Sequence, residues 1–355
     1  MPAASIDTFF ACSLMVLLVL SAMASTSKLL YPYLERTADT DIVARYREVS
    51  KYILLHLGTP ANWGQSNQTK LSTFGLANAE ASAQYDLDPD KVSRLNAQND
   101  YALDYAEAFS ALGMPDVSFG IEIKPVFEVT TNLTATLSEA NQTVYTFEVS
   151  TGKHGRYVTS DLMVYVVAED YVEAKNASVS SGRTHLNVTL SNAVGGPAVL
   201  VTFARSSYDR RLVSFGVYPF AHNSASPESD RAFVSLSPLN HTLTALLVAS
   251  NVTMSSVYAF TYGHCDIPVM LANGSNVATY DIMDFAEPCP TLIVATGYNL
   301  TAFFTEEVAY PQVPVQFGAY SATSQTRSDV FAFTYLVCIG SAIYDCTLWL
   351  GGLRA

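Results

Sequence analysis

Nine asparagines carry the one modification chemistry that the sequence spells out. Asn67, Asn132, Asn141, Asn176, Asn187, Asn240, Asn251, Asn273 and Asn299 each stand two residues before a Ser or Thr, the acceptor pattern for an N-linked glycan. The chain of 355 residues has 66 Ser plus Thr and 16 Asn. Chance would place roughly three such triplets in that composition, so nine mark an exported body. Cysteines offer a second chemistry: of five, Cys12 lies in the apolar N-terminal segment and four fall outside it. Cys265 with Cys289, and Cys338 with Cys346, form close pairs along the chain, and an even count suits disulfides in an oxidising compartment. Four cysteines allow three connectivities. Free buried thiols and a zinc site are the alternatives, but no spacing is C-x-x-C and His264 is the only histidine nearby. If the hairpin around them turns on three residues, Ser341 to Ile343, Cys338 opposes Cys346 and the pair can bond.

Acidic clusters read as structure. Asp86, Asp88 and Asp90 have calcium-loop spacing, yet Lys91 and Ala97 stand where such a loop needs Gly and Glu. Asp88 is instead expected to cap a helix whose first residue is Pro89, with Asp90 on the helix dipole. Glu306 and Glu307 point to opposite faces of a strand and suit a solvated strand end. His264-Cys265-Asp266 cannot converge on one atom and is expected to flank a disulfide. The chain has no G-x-S-x-G, P-loop, H-E-x-x-H or G-x-G-x-x-G. We expect no enzyme, no cofactor and no metal. A net charge of −13 with 19 Lys plus Arg argues against nucleic acid as a partner. Charged residues are only 14% of the chain, against about 25% in an average soluble protein.

The first thirty residues must position all this. Phe9 to Ala24 is uncharged and apolar, and residues 6–30 as a helix cover roughly 36 Å, enough for a ~30 Å hydrocarbon layer. The lipid bilayer is thus an expected partner through residues 6–30. Three readings fit: an uncleaved anchor, a secretory signal cut after Ala22-Met23-Ala24, and a pilin-like start. Basic residues Lys28, Arg36, Arg45, Arg47 and Lys51 follow the segment and would hold the body inside, but long domains cross largely regardless of charge. The sequons decide for an extracellular body on a single-pass cell-membrane protein.

Ala3-Ala4-Ser5-Ile6-Asp7 followed by an apolar helix resembles the start of archaeal type IV pilin-like proteins, with Ser5 and Asp7 at the matching positions. Gly58-Thr-Pro-Ala-Asn-Trp-Gly64 before Phe74-Gly-Leu-Ala77 resembles a block in uncharacterised archaeal membrane-anchored surface proteins. The resemblance implies assembly into a homo-oligomer or filament, with Asp7 pairing a neighbouring subunit's amine; the residues alone equally place Asp7 at the headgroup level, on the dipole of the helix N-terminus. It implies a location and no activity.

Stepwise along the chain, Ile42, Tyr46, Val49, Ile53 and Leu57 recur at helical spacing over 41–57, with Pro32 expected to kink the chain or separate this helix from the membrane segment. A further helix is expected over 101–112. From Val117 the period becomes two, with strands expected near 117–129, 143–150, 161–168, 184–190, 197–204 and 211–218. More follow near 231–237, 242–249, 256–262, 291–296, 313–318, 330–339 and 343–350. Residues 330–344 are bounded by Asp329 and Asp345 and broken by Gly340-Ser341, so they read as a buried hairpin and not a second membrane helix. The expected fold is mainly β, with an N-terminal transmembrane helix, a helical neck and two antiparallel immunoglobulin-like β-sandwich domains. The expected boundaries are 1–30 transmembrane helix, 31–115 neck, 116–220 first sandwich, 221–230 linker and 231–355 second sandwich. The expected function is a non-enzymatic cell-surface structural or adhesion protein. The alternative is an ectodomain that binds a small ligand or glycan in a groove lined by Trp63, Tyr or Phe.

Overall fold

The computed structural model describes residues 3–81, 83–169, 171–224, 227, 232–284, 289–300, 302–319 and 330–351; within the first helix, side chains 3–9, 12 and 29–40 lie outside the description. The chain divides into two compact units, 1–51 and 52–355. The first is almost wholly α1 (Ala3–Leu55), one helix of 53 residues. It runs through position 32, so the separation expected at Pro32 does not occur. Proline removes a single ladder bond, and the long ladders on either side carry the helix past it. No described helix is long and apolar enough to cross a membrane. The described side chains run unbroken only over 13–28, about 24 Å of helix.

The second unit is mainly β. Its first part, residues 56–116, is short of ladders and holds β1 (Asp86–Leu87), α2 (Pro89–Ser93) and α3 (Tyr105–Leu112). Asp104 caps α3 by accepting from the Ala106 N–H, and Gly113 closes it at φ 69°. The strands then come in chain order: β2 (Ser118–Pro125), β3 (Glu128–Ser138), β4 (Gln142–Lys153), β5 (Arg156–Tyr157), β6 (Ser160–Ala168), β7 (Tyr171–Val179), β8 (Arg183–Ser191), β9 (Ala198–Ser206) and β10 (Val213–Phe220). After the expected linker, mostly outside the described residues, come β11 (Val234–Leu239), β12 (Thr242–Leu247), β13 (Val252–Phe260), β14 (Cys265–Asp266), β15 (Val269–Asn273), β16 (Val277–Asp281), β17 (Thr291–Asn299) and β18 (Ala302–Tyr310). β19 (Val315–Gly318), β20 (Val330–Ile339) and β21 (Ala342–Gly351) end it.

Five sheets result. β3, β4, β5 and β8 form one, and β10-β9-β6-β7 another. They share a core that includes Phe147, Val188, Val164 and Leu200. β11-β12-β16-β15 and β14-β13-β17-β18 enclose a second core around Leu243, Tyr280, Ile293 and Phe304. The two pairs then meet: Phe203, Tyr165 and Val201 from the first pack on Phe260, Leu292 and Val294 from the second. This explains two runs that do not alternate. Every residue of β9 is buried, and so are Thr291–Gly297 of β17, because each strand has a core on both faces.

The fifth sheet, β1-β20-β21-β2-β19, joins the two ends of the unit. β2 pairs with β21 from Ser118↔Gly351 to Pro125↔Tyr344, and β1 lies parallel to β20. The final strands therefore pair with the first, away from β11–β18. The hairpin expected at 330–344 is present, but only its second strand is mostly buried: β20 leaves Ala332, Thr334 and Leu336 exposed. It turns on Gly340 and Ser341, at φ 55° and 67°, the left-handed pair that a two-residue hairpin needs.

Candidate functional site

Strand alternation sends the sequon asparagines outward. Asn132 on β3, Asn176 on β7 and Asn187 on β8 occupy exposed positions between buried or half-buried neighbours. Asn67, Asn141, Asn240, Asn251 and Asn273 are exposed as well, and Asn299 at the end of β17 is half-buried. The Asn251 Nδ2 donates to the Asn299 Oδ1, tying two sequons together. Asp7 lies outside the described side chains.

The cysteines depart from expectation. Cys265, Cys289, Cys338 and Cys346 are all free thiols. The hairpin register is the reason for the last two. With the turn at Gly340-Ser341, Cys338 pairs with Ile343 and Cys346 with Tyr335. Cys346 therefore shares the buried face with Val337 and Tyr344, while Cys338 faces the other way. Burial pushes the thiols of Cys338 and Cys346 up, and partial desolvation beside Asp266 does the same for the exposed Cys265. Cys289 accepts from the Tyr262 N–H at 3.2 Å and donates to the Pro290 carbonyl at 3.2 Å.

The aspartates are used by the fold, as expected. Asp88 caps α2, accepting from the N–H groups of Asp90 at 2.9 Å and Lys91 at 3.1 Å. Asp90 accepts from the Asn240 N–H at 2.7 Å and the Tyr310 hydroxyl at 2.9 Å. Burial raises its carboxyl above the usual range against both of these bonds. Among the described residues no three His, Cys, Asp or Glu are placed to hold a metal ion. A cavity of about 440 Å³ beside α2 is lined by Glu80, Asp86, Asp88, Asp90 and Asp284. Glu306 is buried, contrary to the expected solvated strand end. Its two oxygens accept from the Phe233 N–H at 2.6 Å and the Val234 N–H at 2.9 Å, holding the start of β11.

No protein-family model and no curated protein matches this chain. The site has to be read from its own geometry.

A second concavity, about 760 Å³, lies between the two β pairs. Glu169, at the β6–β7 turn, accepts from the Gly195 N–H at 2.8 Å and from the Tyr298 hydroxyl, bridging its walls. Tyr298 and Phe303 meet edge to face at 5.5 Å, and Phe233 stacks on Phe304 at 4.9 Å. Asn223 and the sequon Asn299 complete the polar lining. Both carboxylates among the described lining residues, Glu169 and Glu306, are occupied by N–H and O–H donors. Trp63, expected in such a groove, is instead fully buried, donating to the Gly75 carbonyl at 3.0 Å. The sequence reading missed Tyr298 and Phe303. Their signal was local: Tyr-Asn-Leu-Thr-Ala-Phe-Phe sets rings on both sides of a sequon.

Proposed function

We propose that this chain is a non-enzymatic cell-surface protein, structural or adhesive, held in the bilayer through residues 6–30 with residues 52–355 displayed outside. The β pairs are then two immunoglobulin-like sandwiches, and assembly as a pilin-like subunit is the form that the first residues favour. One observation carries the reading. Leu14, Met15, Val16, Leu17 and Leu18 follow one another along α1, and each is 58–69% exposed. Consecutive helical residues point about 100° apart, so these five cover the whole circumference. A helix apolar all round needs lipid or neighbouring apolar helices, since water penalises such surface at about 25 cal/mol per Å². The sequon asparagines support the same direction, because glycan acceptors must be reachable.

The test is fractionation. The full-length protein stays in the membrane fraction through a carbonate or high-salt wash, while a chain beginning at Thr40 is recovered soluble. Release of the full-length protein by the wash overturns the anchor. A second reading, a small-ligand or glycan-binding ectodomain, has the cleft between the β pairs in its favour.

A further inference from the structure

We propose that the outer edge of β15 is a docking surface for a second copy of this chain, which joins it strand to strand across a two-fold axis and continues the sheet β11-β12-β16-β15 into its partner. The inference goes beyond the anchored-surface reading and does not need it.

At three corners of the β pairs the edge strands meet: β10 lies against β3, β7 against β8, and β11 against β18. At the fourth the chain passes from β14 to β15 through Ile267-Pro268, and among the described residues β15 has a strand, β16, on one side only. Such an edge presents a row of unpaired N–H and C=O groups, and folded proteins guard it with charge. β7 carries Glu173 and Lys175, and β18 carries Glu306 and Glu307. β15, Val-Met-Leu-Ala-Asn, carries none, and residues 267–280 hold no Asp, Glu, Lys or Arg. A bulge between Met270 and Ala272 bends the strand without covering it, and its extra residue, Leu271, has no partner on β16. Every residue of β15 is exposed. Ile267, Val269, Met270 and Leu271 each leave 50–65% of their surface open, and apolar surface gathered in one place marks an interaction site.

Charge, symmetry and area name the occupant. The chain carries a net charge of −13, so two copies repel over much of their surface and approach best where neither is charged. Antiparallel pairing of a strand with its own copy is isologous, so the edge complements itself. Centred on Leu271, the middle of the strand, Val269 of one copy faces Asn273 of the other and Met270 faces Ala272, with no like charges opposed. Residues 267–273 offer on the order of 500 Å² per copy, so a pair buries about 1,000 Å², the least expected of a specific interface. The association is therefore weak and reversible. The Asn273 side chain stands across the sheet and not along its edge, so a glycan there leaves the backbone edge open.

The experiment measures the mass of the full-length protein in mild detergent by sedimentation, across a range of concentrations. The expected result is a dimer that dissociates on dilution, with the amides of 269–273 exchanging hydrogen several-fold more slowly at high concentration than at low. Leu271→Lys sets two like charges on the axis and should weaken the dimer at least about tenfold. Its melting temperature, read at a concentration where the unchanged chain is monomeric, should stay the same because the side chain is exposed. Val248→Lys, at an exposed apolar residue outside β15, should leave the dimer intact. A monomer at every concentration overturns the proposal. A dimer that survives Leu271→Lys overturns it too and assigns association to another surface. Equal loss in Val248→Lys overturns it as unspecific adhesion. The membrane wash reads α1 and not β15, so this proposal and the anchor can each fail alone.

Discussion

Residues 56–116 and the layer where β9 faces β17 both bury backbone, but they satisfy it by opposite means. In the layer, strands supply every partner through their ladders, and the side chains between them are free to be apolar: Phe203, Val201, Leu292 and Val294. In residues 56–116 few ladders exist, so long cations are drawn inside to serve carbonyl oxygens. The Lys91 Nζ donates to the carbonyls of Leu57 at 3.0 Å and Ala77 at 2.7 Å. The Arg94 guanidinium donates to the carbonyls of Trp63, Ser66 and Tyr101 while lying over the Trp63 ring at 5.5 Å. An irregular segment can be buried only if each backbone group finds a partner, and here two side chains stand in for missing strands.

The comparison can be broken from either side. Phe203→Ala empties a fully buried site between the β pairs and should cost about 3–5 kcal/mol, read by denaturant unfolding. Lys91→Met keeps the stem and strands two carbonyls, and should cost about 2–3 kcal/mol; no measurable loss would mean that water replaces the amine. Asp88→Ala removes the cap of α2 and should cost about 1 kcal/mol. The smallest effect is a slope. Burial raises the Asp90 carboxyl above its unfolded value of 3.8, so the folded state holds the proton more tightly. Stability should fall as pH rises from 3.8 through the raised value and then level off. In Asp90→Asn, whose Oδ1 still accepts from Asn240 and Tyr310, that slope should disappear, as thermal melts across acidic pH would show.

Legibility in the sequence followed the same division. The β20–β21 hairpin was readable because Gly340-Ser341 interrupts an apolar run, and the cap at Asp88-Pro89 because both residue types act locally. β3, β7, β15, β16 and β18 were not placed. β3 and β7 carry outward Asn, Thr and Ser on exposed strands, which weakens the alternation, and β18 buries Phe303 and Phe304 side by side. The Cys338–Cys346 register failed by the position of one turn, and in a strand that reverses which face a residue occupies. The inward roles of Lys91 and Arg94 had no signal, since nothing in the sequence states which carbonyls lack partners. The pairing of β1 with β20 and of β2 with β21 was equally hidden, because pairing across more than 200 residues leaves no local trace.

The surface reading is tested most directly by adding protease to intact cells that carry the full-length protein. The account predicts loss of the 52–355 body to external protease, with a fragment containing residues 6–30 retained in the membrane. Complete protection until the cells are lysed would contradict it and place the body inside.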